Sequence, residues 1–248
     1  MKNIIVERAT KVVYSEDGKV FKAFHPMHPK SLVFNEAYIQ STVEELGLPV
    51  PRILEVSQID GKWTLVIEEV AGERLKDLFE KHPERREELM DKFVDLHLKI
   101  HSKTAPRLTS FKEKFVRKID SAKDMLNHIV IYDLKVRLES MPKHKKLCHG
   151  SYTLSNVIVD PMGRLHVVDW SHASLGNASG DVALTFIQLS MFDVELADLY
   201  MRKYCEKSGT ARSYIESWIP IAAAQELTNP SAVNKDLLMQ WVDVVDYI

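Results

Sequence analysis

The sequence predicts an α+β protein with a small, largely antiparallel β-rich lobe over residues 1–72 and a larger helical lobe over residues 73–248. Three observations carry this. Strand-type runs punctuated by Asp-Gly turns fill most of the first 70 residues. Apolar residues then recur at helical spacing. One hairpin pattern, at about residues 157–168, interrupts the helical part.

Taken in order, residues 10–14 and 19–24 read as strands joined by Ser15-Glu16-Asp17-Gly18, a turn signal. A helix is expected over about residues 31–46. It stops at Gly47, ahead of Pro49 and Pro51. Residues 53–59 and 63–70 form a second hairpin, turned at Asp60-Gly61. Gly72 follows and lies near the lobe boundary. Residues 86–101 carry Leu89, Phe93, Leu96 and Ile100 at helical spacing. Further helices are expected at 111–126 and 133–139. Strands 157–159 and 165–168 flank Asp160-Pro161-Met162-Gly163, and the tail returns to helix at 181–190, 194–207, 211–227 and 231–245.

Composition narrows the function. The 248 residues are 45% apolar and 27% charged, ordinary for a globular chain and unlike a disordered or collagen-like one. Lys plus Arg number 33 and Asp plus Glu 35, so the net charge of −2 disfavours nucleic acid or an anionic membrane as the main partner. No apolar run approaches the roughly 18 residues that span a bilayer. The opening residues are charged too early for a signal peptide. Cys148 and Cys205 form no metal-like cluster, and a cytoplasmic setting is expected. Residues 181–248 hold 10 acidic and 5 basic side chains, a local excess of negative charge.

Several residues point to chemistry. In the run 19–24, side chains alternate between faces, so Lys22 shares one with Val20 and Phe24 and needs a partner. An edge-strand lysine reaching water is the ordinary alternative. In the next helix, Leu32, Glu36, Ile39, Val43 and Leu46 fall on one stripe, and Glu36 is its only charge. A core-facing carboxylate should be paired, with Lys22 the natural candidate; a stripe-edge glutamate leaning into solvent is the alternative. Asn156 and Asp169 fall at adjacent ends of the 157–168 hairpin. An amide oxygen and a carboxylate suit Mg²⁺, although both residue types also commonly shape turns. His97 and His101 lie one helical turn apart, but spacing supplies no third ligand for zinc. Cys148 reads as a small buried apolar residue.

The run His149-Gly150-Ser151, with Asn156 five residues beyond Ser151, resembles the catalytic loop of the aminoglycoside phosphotransferase and choline kinase group, His-Gly-Asp-x-x-x-x-Asn. Val168-Asp169-Trp170 resembles that group's metal-binding Ile-Asp-Trp segment, and Gly180-Asp181 its Gly-Asp pair. The order of elements matches over most of the chain. The resemblance implies a protein-kinase-like two-lobe fold. It gives Lys22 the phosphate-holding role, with Glu36 orienting it, and Asn156 and Asp169 the metal. It implies that Glu68 and Val70, where the lobes join, offer backbone groups to adenine, and that Asp181 supports the loop through backbone N–H groups; His149 itself reads as a hydrogen-bonding residue that shapes the loop rather than as a base.

Two departures stand out. The phosphate-covering turn, at about residues 7–11, has no glycine, leaving the Thr10 hydroxyl, Lys11 and backbone N–H groups for phosphate contact. Ser151 stands where the group has its catalytic Asp, and a serine hydroxyl is a poor base at pH 7. The expectation is therefore a phosphotransferase using ATP or GTP with Mg²⁺ on a hydroxyl of a small molecule, of aminoglycoside or amino-alcohol type, impaired by Ser151. The acid-rich tail is a hint toward a cationic acceptor. The alternative is a pseudokinase that binds nucleotide without transfer.

Overall fold

The structure, a computed structural model, describes residues 2–229, 232 and 234–242. In chain order the elements are strands β1 (Asn3–Arg8), β2 (Lys11–Glu16) and β3 (Lys19–Phe24), then helix α1 (Lys30–Glu44). Strands β4 (Ile53–Ile59), β5 (Lys62–Glu68) and β6 (Glu73–Arg74) follow, with helices α2 (Leu75–Lys81), α3 (Arg86–His101), α4 (Phe111–Ser121) and α5 (His128–Ser140). Strands β7 (Lys146–Cys148), β8 (Val157–Val159), β9 (Leu165–Val167) and β10 (Ser174–Gly176) precede helices α6 (Ala178–Ser190), α7 (Val194–Ser208), α8 (Arg212–Glu216), α9 (Ile219–Leu227) and α10 (Lys235–Val242). The chain groups into two compact units. Unit 1 runs to Pro83 and adds Leu154–His172; unit 2 holds Glu84–Thr153 and the chain from Ala173 on.

Unit 1 is built on an antiparallel sheet of order β1-β2-β3-β5-β4. Both Asp-Gly turns form: Asp17 and Gly18 sit at φ 51° and 72°, Asp60 and Gly61 at 50° and 73°. Two successive left-handed residues match the right-handed twist of the flanking strands. Phe24, Leu65 and Ile67 pack with Val33 of α1 to form the core. A smaller sheet of order β6-β8-β9 completes the unit. Gly72 stands at its edge with φ 149°, and a Cβ there would lie 2.1 Å from the Val159 carbonyl oxygen, so only glycine fits.

Unit 2 packs its helices around Leu89, Met90, Phe93 and Ile100 of α3, Leu184 and Ile187 of α6, and Trp218. The short pair β7–β10 sits among them, with Cys148 opposite Ser174. No helix among the described residues is long and apolar enough to cross a membrane.

The structure corrects several expectations of detail. In α1 the buried positions are Val33, Glu36, Ile39, Gln40 and Val43, while Leu32 is exposed. The stripe is rotated by about one residue because Phe24 and Leu65 receive Val33. The helix expected at 111–126 ends at Ser121, and α5 begins at His128, earlier than expected. Asn127 explains that start, since its side chain accepts the N–H groups of Ile129 and Val130. The helix expected at 211–227 breaks into α8 and α9, because Pro220 suits a first turn and disfavours helix before it. Of the helix expected at 231–245, Ser231, Val233 and 243–245 lie outside the described residues.

Candidate functional site

Unit 1 holds a cavity of about 440 Å³. Lys22, Asn156, Asp169, Glu68 and Val70 all line it. Lys22 stands on β3, 7% exposed, because strand alternation turns it to the same side as buried Phe24. Its ammonium donates to Glu36 Oε1 at 2.7 Å and to Asp169 Oδ1 at 2.9 Å. Lys11 adds a second cation, 3.8 Å from Glu36 Oε2 and 4.0 Å from Asp169 Oδ1. Two carboxylates and two ammonium groups thus balance in a small space, which satisfies the pairing demand on buried charge. Burial opposes the Lys22 charge, but Asp169 and then Glu36 outweigh it and hold the ammonium above its ordinary pKa. Burial likewise opposes the Asp169 charge, yet Lys22 and then Lys11 keep its carboxyl well below the usual range.

Asp169 reaches Lys22 through an unusual backbone. Its φ of 61° is left-handed, the region Asp and Asn tolerate best after glycine. The β8–β9 ladder pairs Val157 with Val167, and Val168 N–H donates to the Asn156 carbonyl at 2.9 Å. That ladder brings Asn156 and Asp169 to the same wall. Both offer hard oxygen atoms, and the Asp169 side chain is 33% exposed, so this donor set fits a small divalent cation that keeps several waters.

The turn that covers the cavity is a two-residue hairpin, with Arg8 paired to Lys11 across Ala9 and Thr10. Arg8 and Lys11 line the cavity from either side of the turn, whereas Thr10 is exposed and not part of the lining. The glycine-free turn therefore presents cationic side chains. At the end of β5, Glu68 N–H donates to Arg52 O at 2.9 Å and Glu69 N–H to Gly18 O at 3.1 Å. Among the described residues, the Val70 N–H has no such acceptor. Val6, Val20, Ile67 and Ile158 give the same cavity an apolar wall. Sequence reasoning missed Arg74, which also lines it and donates to the Ser155 carbonyl, tying the chain just before Asn156. Its place directly after Gly72-Glu73 was the available signal.

The loop His149-Gly150-Ser151 belongs to unit 2. Asp181, wholly buried on the first turn of α6, accepts the N–H of His149 at 2.7 Å and of Gly150 at 2.8 Å. Asp181 Oδ2 also faces Nε2 of His97 and of His101, each at 3.2 Å. The other ring nitrogens meet Tyr200 and Tyr204 hydroxyls at 2.7 and 2.8 Å. Facing a carboxylate, both rings donate from Nε2. This corrects the expectation that the histidine pair has no third group beside it: Asp181 converges with both. Four donors fill the capacity of one carboxylate, and hydrogen bonding accounts for the whole cluster without a metal ion. Burial, then His101, lowers the His97 pKa to about 3, so the ring is neutral. Gly180 precedes Asp181 because a Cβ there would lie 2.6 Å from Phe111 Cε1 and 2.8 Å from Trp218 Cε3. Ser151 is half-buried and donates its backbone N–H to His149 Nδ1 at 3.2 Å. Cys148 is buried, and burial raises its thiol pKa, which leaves it unreactive.

The model of the phosphotransferase enzyme family (APH) matches residues 7–215. No curated protein matches the chain in sequence. Among solved structures, an aminoglycoside-3'-phosphotransferase of type VIII is 16% identical, with 90% of this chain and 93% of that one covered at a TM-score of 0.65. A choline/ethanolamine kinase family protein from Mesorhizobium loti is 14% identical, covering 98% and 84% at 0.64. A thermostable mutant of aminoglycoside phosphotransferase APH(4)-Ia, in ternary complex with AMP-PNP and hygromycin B, is 14% identical, covering 92% and 85% at 0.69. At such identities the likeness is one of fold, and the fold is the protein-kinase-like one expected from the sequence.

Proposed function

The chain belongs to the phosphotransferase enzyme family, and from that premise we propose that it binds ATP or GTP in the unit 1 cavity and passes the γ-phosphoryl group to a hydroxyl of a small molecule. The observation that carries this is Lys22, fixed by two carboxylates in a cavity that also offers Asn156 and a hinge amide. Lys22 holds the nucleotide phosphates, and Glu36 keeps its ammonium aimed. Lys11 and Arg8 take over part of the phosphate contact that a glycine-rich turn would make with its backbone. The Val70 N–H donates to the purine, and Val6, Val20, Ile67 and Ile158 cover its faces. Asn156 and Asp169 hold Mg²⁺, which when bound neutralises charge on the transferring phosphates. Asp181 fixes the loop that carries His149 and Ser151.

Ser151 weakens the reaction. A positioned general base typically contributes ~10²–10⁴-fold, whereas positioning and charge neutralisation carry most of a phosphoryl transfer. Nucleotide binding and transfer are therefore separable in this chain. The test is ADP release over a panel of aminoglycosides and amino alcohols, for the protein and for Ser151→Asp. The variant should turn over about 10²-fold faster or more, with nucleotide affinity within a few-fold. A Ser151→Asp variant that binds nucleotide yet stays inert with every acceptor moves the second reading ahead. That reading, a nucleotide-binding pseudokinase, is favoured by Ser151 together with the glycine-free turn. Ordinary turnover by the serine form would remove position 151 from the base role.

A further inference from the structure

A second cavity, of about 850 Å³, lies within unit 2 and shares no lining residue with the nucleotide cavity. Its size suits a small organic molecule. Phe111, Leu175 and Trp218 give it an apolar floor. Its rim is cationic: Lys112, Arg117, Lys143 and Lys145 face only Glu113 and Glu139. Glu139 is shared, 3.8 Å from Lys112 and 4.0 Å from Lys143. Arg117 and Lys145 have no ion-pair partner among the described residues. The excess is felt nearby, since burial and then Arg117 pull Lys114 down to about 8.

We propose that this cavity binds a small organic anion with an apolar body, its acidic group at Arg117 and Lys145 and its body against Phe111 and Trp218. The charge is complementary only to an anion. The floor excludes a bare inorganic ion as the best occupant, because burying its faces would gain nothing from Phe111 and Leu175.

The probe is 2-naphthoate, titrated calorimetrically into the full chain with ADP and Mg²⁺ saturating, so that the nucleotide cavity is filled. The comparison ligands are neutral 2-naphthalenemethanol and cationic 2-naphthylmethylammonium, which share the ring. Naphthoate should bind at least about ten-fold more tightly than the ammonium, about 1.4 kcal/mol. The double variant Arg117→Glu, Lys145→Glu should weaken naphthoate by ten-fold or more. If charge reversal prevents folding, raising salt from about 0.05 to 0.5 M should weaken naphthoate and spare the alcohol. Absence of naphthoate binding at millimolar concentration, equal affinity for the cationic ligand, or indifference to both charge reversal and salt would each overturn the proposal.

Discussion

Replacing Glu36 by Gln removes one of two carboxylates within hydrogen-bond reach of Lys22. Stripping a buried charge of its partner typically costs ~3–5 kcal/mol. Here Lys22 keeps Asp169, and the Gln carbonyl can still accept, so the expected loss is about 1–3 kcal/mol. Urea unfolding measures it, and a change within about ±0.5 kcal/mol would mean that Glu36 behaves as a surface group. Nucleotide affinity should fall in parallel, because Lys22 then swings toward Asp169. The pair was legible from strand alternation in β3 and helical spacing in α1, which are local signals. Asp169 as the second partner of Lys22 was not, because 147 residues separate them and only the β8–β9 ladder brings it there.

At the scale of elements, the Asp-Gly turns and β2 to β5 were readable because turn chemistry there is local. The helix α6 start at Asn177 and the brief strands β7 and β10 were not, since three residues carry no periodicity and, unlike β8 and β9, no tight turn joins this pair. The α3–α6–α7 network was half-legible: His97 and His101 were visible as a pair, but their partner Asp181 sits 80 residues beyond His101. This network gives a pH prediction. His97 faces His101, Asp181, Tyr200, Tyr204 and the stacked Tyr152. Its pKa is lowered from an ordinary 6.5 to about 3, so between those values the unfolded chain binds the extra proton. Stability is complete above about pH 6.5 and falls on acidification, by up to about 1.4 kcal/mol per pH unit. The depressed carboxyl of Asp181 adds a further loss only below the ordinary carboxylate range. His97→Gln should lower stability at pH 7 and flatten the slope between pH 6.5 and 4.5, read by thermal melts. A slope unchanged in that variant would assign the acid sensitivity to other groups. Gly180→Ala probes the same element through packing. Its Cβ overlaps Phe111 and Trp218, and such overpacking costs about 1–3 kcal/mol, again read by melts.

Across the whole molecule, several acids of residues 181–248 are paired or buried. Arg86 meets Asp193, and Arg212 meets Asp198 and Glu216. Glu206 lies 3.9 Å from Arg202, and Asp181 is buried under the loop. In return, Arg202 and Lys203 pair with Glu87, and Lys203 and Lys207 with Asp91, all on α3, so pairing leaves the acid excess of the tail standing. The proposed nucleotide binding is tested on the whole chain by melting. A ligand bound only by the folded state, at a hundred times its Kd, adds ~2.7 kcal/mol. For a chain of this length each kcal/mol moves the melting temperature by about 2–4 °C, so ATP with Mg²⁺ should raise it by roughly 5–10 °C. Asp169→Ala should abolish the Mg²⁺-dependent part of the rise. Lys22→Ala should shrink the rise with or without Mg²⁺, and should also lower the melting point of the free protein, because Glu36 and Asp169 then face each other with only Lys11 between them. The two substitutions therefore leave different signatures: one tied to metal, the other to phosphate and to the stability of the empty cavity. An unchanged response to ATP and Mg²⁺ in both variants would move the nucleotide out of this cavity.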